Sequence, residues 1–245
     1  MEKQRKLYAA ISVALVLVCV VFFFGRSNSG GYDPIVLPPV EDDSQQSAGS
    51  SSELNDRVSM VAVTTETVQS VIASLHRPES YTASLTVTTY WSGGSGSVQT
   101  AVYVQQGLTR ADTTANNGQV RHMLTDGENT AVWYGEETDY YRLPAGQFDA
   151  DDELRLPSYE DVLELDEGQI LEADHRYYGT VPCIFVSTEQ EGYECCYYVR
   201  SADGLLQAAE IRWEGTLIYE AVFSSISAAA GEDSLFLLPD GSALS

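Results

Sequence analysis

Three observations predict a mainly β (α+β) domain. Two long stretches alternate apolar and polar residues with period two, turn residues separate the alternating runs, and helical spacing is confined to two short places. From Ser80 to Arg142, Tyr81, Ala83, Leu85, Val87 and Trp91 alternate with Thr82, Ser84, Thr86 and Thr88. Successive strand side chains point to opposite faces, so this run buries one of its faces. Gly93-Gly94-Ser95-Gly96 supplies a turn, after which Val98, Val102 and Val104 resume the alternation. Gly107, Asn116-Asn117-Gly118, Asp126-Gly127 and the Gly135 to Asp139 loop punctuate the remainder. Runs about 8–12 residues apart with turn signals between them argue for an antiparallel meander of six strands, not for βαβ units.

The chain begins with an uncharged run from Leu7 to Gly25, preceded by Lys3, Arg5 and Lys6 and followed by Arg26. A helix of that length crosses about 30 Å of hydrocarbon, and the basic flank places the N-terminus in the cytoplasm. A cleaved signal peptide and a lipoprotein signal compete with an uncleaved anchor. The run exceeds a signal core, Ser27-Asn28-Ser29 is a poor cleavage site, and Val18 precedes Cys19 where a lipidation signal needs a small residue. The expectation is a single-pass anchor over 1–26, with everything beyond it outside the cytoplasm, at the cell membrane. Ser, Gly, Pro and Asp dominate 27–55, which reads as a flexible linker, and 56–245 is the extracytoplasmic domain.

Thr64 to Pro78 is the first helical stretch. Val68, Val71, Ile72 and Leu75 form a stripe, Thr64 or Thr65 caps the start, and Pro78 stops it. After the meander comes an acidic loop, then a short helix opened by Pro157 and Ser158. Asp161 completes a capping box there, and Val162, Leu163 and Leu165 form the apolar side. Strands resume over Gln169–Tyr178, Val181–Ser187, Tyr193–Arg200, Leu205–Trp213 and Thr216–Ser225, for about eleven in all.

Charge narrows the function classes. Lys and Arg number 13 against 36 acids, a net charge of −23 at pH 7. From Ser27 onward there is no Lys, and nine Arg face 35 acids, so 9 − 35 = −26. Such a surface repels nucleic acid and anionic headgroups. Asp149, Asp151, Asp152 and Glu153 lack the Gly turn and distal Glu of a calcium loop. His76, His122 and His175 show no metal-ligand spacing. Asp174 and His175 are neighbours on a strand and point to opposite faces. Gly93 to Ser97 is one residue short of G-x-S-x-G and sits in a hairpin. No residue is marked for catalysis, metal or cofactor.

Cys183 and the Cys195-Cys196 pair fall on neighbouring strands, with the adjacent pair facing opposite sides, so Cys183 reaches only one of them. The expectation is a hairpin disulfide contributing about 2–3 kcal/mol, with one cysteine left over. Aromatic residues crowd the strands: Trp91, Trp133, Tyr134, Tyr140, Tyr141, Tyr177, Tyr178, Tyr197, Tyr198 and Trp213. They serve a core and cross-strand pairs, or an apolar cup for an acyl chain or peptide.

A helix, an eleven-strand meander and a short helix inserted midway resemble the LolA/LolB/RseB-like lipoprotein-carrier superfamily. The local cues are Leu124-Thr125-Asp126-Gly127 before Thr130 to Tyr134, Ser201 to Leu206 turning into a strand, and the closing Leu235-Phe236-Leu237-Leu238-Pro239. The resemblance covers roughly Thr64 to Gly241. It implies an incomplete, half-barrel sheet whose concave face is covered by helices, and a cavity for an acyl chain or lipoprotein. Val68, Ile72, Leu75, Leu85, Val87, Trp91, Val102, Val104, Val132 and Tyr134 would line that cavity. Relatives in this superfamily also act as sensors or assembly proteins that bind an envelope partner. The apparent anchor departs from a shuttling carrier and is similar to envelope proteins of Gram-positive bacteria. The expected activity is non-catalytic binding beside the membrane.

Overall fold

The computed structural model describes residues 62–115, 117–145, 147 and 157–244. The expected anchor, the linker, the domain boundary at 56 and the acidic run Asp149 to Glu153 lie outside the described residues. Among the described residues, no helix is long and apolar enough to cross a membrane.

The first meander is β1 (Ser80–Trp91), β2 (Gly94–Gln105), β3 (Leu108–Thr114), β4 (Val120–Thr125), β5 (Asn129–Tyr134) and β6 (Tyr141–Pro144). The second is β7 (Ile170–Tyr178), β8 (Val181–Gln190), β9 (Tyr193–Arg200), β10 (Leu206–Trp213) and β11 (Thr216–Ser227). All eleven strands form one antiparallel sheet in the order β6-β5-β4-β3-β2-β1-β11-β10-β9-β8-β7. The two meanders join where β1 pairs with β11, Leu85 opposite Phe223. The edges β6 and β7 are not paired to each other, so the sheet is open.

Turn chemistry fixes the register. Gln106-Gly107, Glu191-Gly192 and Glu214-Gly215 each put two consecutive residues at positive φ. That is the twist of a two-residue type I′ turn, which matches the twist of the strands it joins.

Alternation then assigns the faces. Leu85 and Val102 of the first strands share a face with Ala111, Met123 and Val132 through successive pairings. On the other side of β1 the same face carries Phe223, Ala209, Tyr197 and Val186. Both helices lie against this face. Helix α1 (Val68–Ser74) and helix α2 (Glu160–Leu163) bring Val68, Val71, Ile72, Leu75 and Val162 into one cluster with Ala83, Leu85, Val102, Ile184, Val199 and Phe223.

Helix α1 is shorter than the Thr64–Pro78 expectation. Its first residues form a turn in which Thr67 Oγ1 donates to the Ala62 carbonyl and accepts from the Thr64 amide. Leu75 is already extended at ψ 138. At that end the Arg77 guanidinium donates to the Leu75 carbonyl and to the Ile72 carbonyl, which also accepts the Leu75 amide at 3.2 Å. His76 therefore follows the helix and does not end it. One half of the expected capping box at α2 forms: the Ser158 amide donates to Asp161 Oδ2 at 2.8 Å, and the Ser158 Oγ accepts from the Glu160 amide at 3.2 Å. Gln69 of α1 then donates to the Val162, Leu163 and Leu165 carbonyls at 3.1, 3.3 and 2.7 Å.

The opposite face is also covered. A 3-10 turn, Asp233–Phe236, and the residues after it place Phe236, Leu238 and Leu244 over Leu124, Ala131 and Trp133. Across the other half, Tyr178 of β7 donates to Glu220 of β11 at 2.8 Å. Four strand spacings separate those strands, about 19 Å in a flat sheet. The sheet is therefore curled across β7 to β11 around the face opposite the helices, a curvature that the expectation of helices in the hollow did not include.

The disulfide expectation fails on register. The turn at Glu191-Gly192 sets Gln190 opposite Tyr193, so Cys183 lies opposite Arg200, while Cys195 and Cys196 lie opposite Thr188 and Ser187. Four residues of strand, about 13 Å, separate Cys183 from the nearer position, far beyond the span of a disulfide. All three are thiols.

Candidate functional site

The structure places every expected cavity residue on the helix-bearing side, and it divides them by exposure. Val68, Ile72, Leu75, Leu85 and Val102 are buried in one cluster and Val132 in a separate one, all between 0 and 5% exposed. Val87 and Val104 pack at the edge of the first cluster. Tyr134 packs on the neighbouring Ala111, Met123 and Val132. Trp91 is different, at 55% exposed. The buried members are core, and the accessible surface begins where they end.

That surface holds a pattern the cavity expectation missed. Trp91, Val98, Tyr141, Leu143, Tyr177 and Trp213 are large, exposed and apolar. The register puts all six on the helix-bearing face: Val98 opposite Val87, Tyr141 opposite Val132, Leu143 opposite Thr130, Tyr177 opposite Pro182 and Trp213 opposite Tyr193. Exposed apolar side chains scattered singly are ordinary; these six run from β6 at one edge of the sheet to β7 at the other, with Trp91, Val98 and Trp213 on the middle strands. For Trp91, Val98 and Trp213 the signal was present in the sequence as alternation in step with the buried Leu85, Val102 and Ile211, whereas β6 is exposed along its whole length.

Two polar clusters lie on the opposite face. In the first, Asp112 Oδ1 takes Arg110 Nε at 2.8 Å and His122 Nδ1 at 2.7 Å. Arg110 Nη1 donates to the Leu235 carbonyl at 2.8 Å, and its guanidinium lies 5.0 Å from the Trp133 ring centre. The His122 ring stacks on Trp133 at 5.3 Å. Burial pushes the Asp112 carboxyl up, but the hydrogen bonds from His122 and Arg110 and the Arg110 charge together hold it below the usual carboxylate range. An Asp–His pair is the orienting half of an acid–base system, but here its bonds run to Arg110 and through it to the C-terminal segment. The chemistry is that of a tie. Sequence reading found His122 on a strand and missed its partners, which sit ten and twelve residues away on the neighbouring strand.

In the second cluster, Glu220 accepts from Tyr90 at 3.0 Å and from Tyr178 at 2.8 Å, one on each carboxylate oxygen. Burial, then the bond to Glu220, pushes the Tyr178 phenol up. Tyr198 packs on both Tyr178 and Phe185, and Arg176 covers the Phe185 ring at 3.7 Å. Glu210 is buried at the neighbouring position and held by Arg212 at 2.7 Å. No group of three or more His, Cys, Asp and Glu side chains among the described residues is arranged to hold a metal ion.

No family model matches the sequence, and no curated protein matches it. Solved structures do. A LolA superfamily protein from Nitrosomonas europaea is 12% identical, with a TM-score of 0.36 over 71% of this chain and 98% of its own. MucB is 18% identical, with a TM-score of 0.42 over 67% of this chain and 59% of its own. The lipoprotein LppX of Mycobacterium tuberculosis is 12% identical, with a TM-score of 0.41 over 69% of this chain and 96% of its own. At 12 to 18% identity and TM-scores of 0.36 to 0.42, the likeness assigns no ligand and no residue role.

Proposed function

We propose that the chain is a membrane-anchored, extracytoplasmic, non-catalytic domain that holds an acyl chain, free or carried by a lipoprotein, on its helix-bearing face. The supporting observation is the one-sided placement of Trp91, Val98, Tyr141, Leu143, Tyr177 and Trp213 beside a core already closed by α1 and α2. A linear apolar ligand gains about 25 cal/mol per Å² of apolar surface removed from water, and a sheet face gives it length without demanding a polar match. The anchor expected over 1–26 keeps the domain near the source of such chains. The same fold serves the alternative expectation, an envelope sensor or assembly protein that binds a partner.

The test feeds cells a photoreactive fatty acid, crosslinks in membranes with the full-length chain, and maps the labelled peptides. Label on the strands carrying Trp91, Val98 and Trp213 supports the reading. A chain that never labels, or labels only in 1–26, refutes it.

A further inference from the structure

One end of the sheet carries an aromatic row. Thr89, Tyr219 and Ile211 are aligned partners across β1, β11 and β10. Trp91 and Trp213 each lie two residues beyond that alignment, toward the same end and on the same face. Two strand spacings, about 10 Å, separate their backbones. Trp213 pairs in register with Tyr193 of β9, and their rings are 4.7 Å apart at 47°.

Both indoles rest on glycine. A Cβ at Gly94 would lie 3.4 Å from Trp91 Nε1, and one at Gly96 would lie 3.1 Å from Trp91 Cη2. The ring therefore spans both glycines along β2. A Cβ at Gly192 would lie 3.2 Å from Trp213 Cζ3. Each ring has one side on bare backbone, yet 55% of Trp91 and 41% of Trp213 stays exposed. These are seated platforms with an open face, not loosely hanging side chains.

Charge says what the platforms suit. The turns of the two hairpins that carry Tyr193 and Trp213 hold Glu191 and Glu214, while Glu189 and Glu194 pair on the opposite face of the sheet. The cation next to Trp213, Arg212, is committed to Glu210 at 2.7 Å. An open indole face attracts a cation, and neighbouring carboxylates add to that attraction while repelling an anionic headgroup. The excess of −26 beyond residue 26 extends the same preference to long range.

We propose that this row is a docking surface for a cationic amphipathic segment of a partner polypeptide. Its apolar side chains lie against Trp91 and Trp213, and its Lys or Arg groups reach the indole faces and the turn glutamates Glu191 and Glu214. The surface shares a face with the acyl reading but does not rest on it.

The test uses the full chain in phosphatidylcholine nanodiscs, with empty nanodiscs as the reference. The probe is a fluorescent amphipathic Leu/Lys peptide, compared with Leu/Ser and Leu/Glu peptides of equal length. The Leu/Lys peptide is expected to bind best and to weaken about tenfold from low to physiological salt, as charge-steered contacts do. Trp91→Ala and Trp213→Ala should each weaken it by roughly threefold, the scale of one exposed cation–π contact. Trp213→Phe should restore much of the loss. Equal binding of the Leu/Ser peptide overturns the proposal, as does unchanged binding by the double Trp→Ala chain with its thermal unfolding intact. Fatty-acid crosslinking of the same variants reports separately on the acyl reading, so one can fail without the other.

Discussion

Arg77 shows how much one side chain can organise. Its guanidinium donates to the carbonyls of Ile72, Leu75 and Gly204, the last at 3.0 Å, and lies 3.6 Å above the Tyr159 ring. It thereby joins the end of α1, the β9–β10 turn and the entry to α2. Arg77→Ala takes the guanidinium from the Leu75 and Gly204 carbonyls and leaves Ile72 with only the Leu75 amide, and is expected to cost roughly 2–4 kcal/mol, read as a lower denaturant midpoint; an unchanged midpoint would refute this role. Gly204 beside it has φ +65, and a Cβ there would fall 2.9 Å from the Leu75 Cβ. Two requirements, positive φ and close approach, meet at that one glycine. Asp112 gives a pH dependence. Its folded carboxyl is held low by His122 and Arg110, so its contribution is present above the ordinary carboxylate range and is lost as pH falls through the depressed folded value. Asp112→Asn should flatten the acid side of a stability-versus-pH curve. The thiols offer a third reading, since burial pushes Cys183 to about 11 and Cys196 to about 12. At pH 8 in the native protein both should resist thiol reagents, and denaturant should release them. Fast labelling of either in the folded chain would contradict its burial.

At the scale of elements, what was legible in the sequence is what local chemistry decides. All eleven strands could be read because alternation marks a face and because glycine turns mark where each strand ends. The bond from the Ser158 amide to Asp161 was legible for the same reason: both groups lie within one turn. The length of α1 was not legible, because its end is set by Arg77 folding back and by a carbonyl 127 residues away. Nor was the link from Gln69 to α2, which spans more than ninety residues and leaves no periodic trace. The disulfide expectation erred over the hairpin: counting outward from a two-residue turn at Glu191-Gly192 puts Cys183 beside Arg200, and only a turn centred about two residues earlier would bring the cysteines together. Gln69→Ala tests the helix pair. Losing three hydrogen bonds to partly buried carbonyls should cost about 1–3 kcal/mol and raise hydrogen exchange at α1 and α2 before the sheet responds. Uniform exchange across the whole domain would show instead that the pair is not a separable layer.

For the whole molecule, the two covered faces should answer to one titration. Tyr81 packs beside the helix-bearing core, Tyr159 opens α2 under Arg77, and Tyr198 sits in the curl on the opposite face. Burial, followed by the nearby carboxylates, pushes Tyr81 to about 12. Burial, followed by the bond and charge of Glu160, does the same at Tyr159, again to about 12. Burial leads at Tyr198 also, with Glu210 next, to about 12. For an acid whose folded value is raised, folding favours the neutral form. The stability this represents is complete below the unfolded tyrosine value near 10, and it drains away as pH rises toward the folded value. Because the three phenols lie on opposite faces of one sheet, neither face can be relieved by opening alone while β1 to β11 stays paired. Alkaline unfolding is therefore expected to begin above about pH 10 as a single transition, with tyrosinate absorbance and loss of β circular dichroism rising together. Tyr198→Phe should move that transition to higher pH without abolishing it. Two separated steps, or full tyrosine ionisation with the β signal intact, would mean that the faces are independent and that the curl closed by Tyr178 and Glu220 does not couple them.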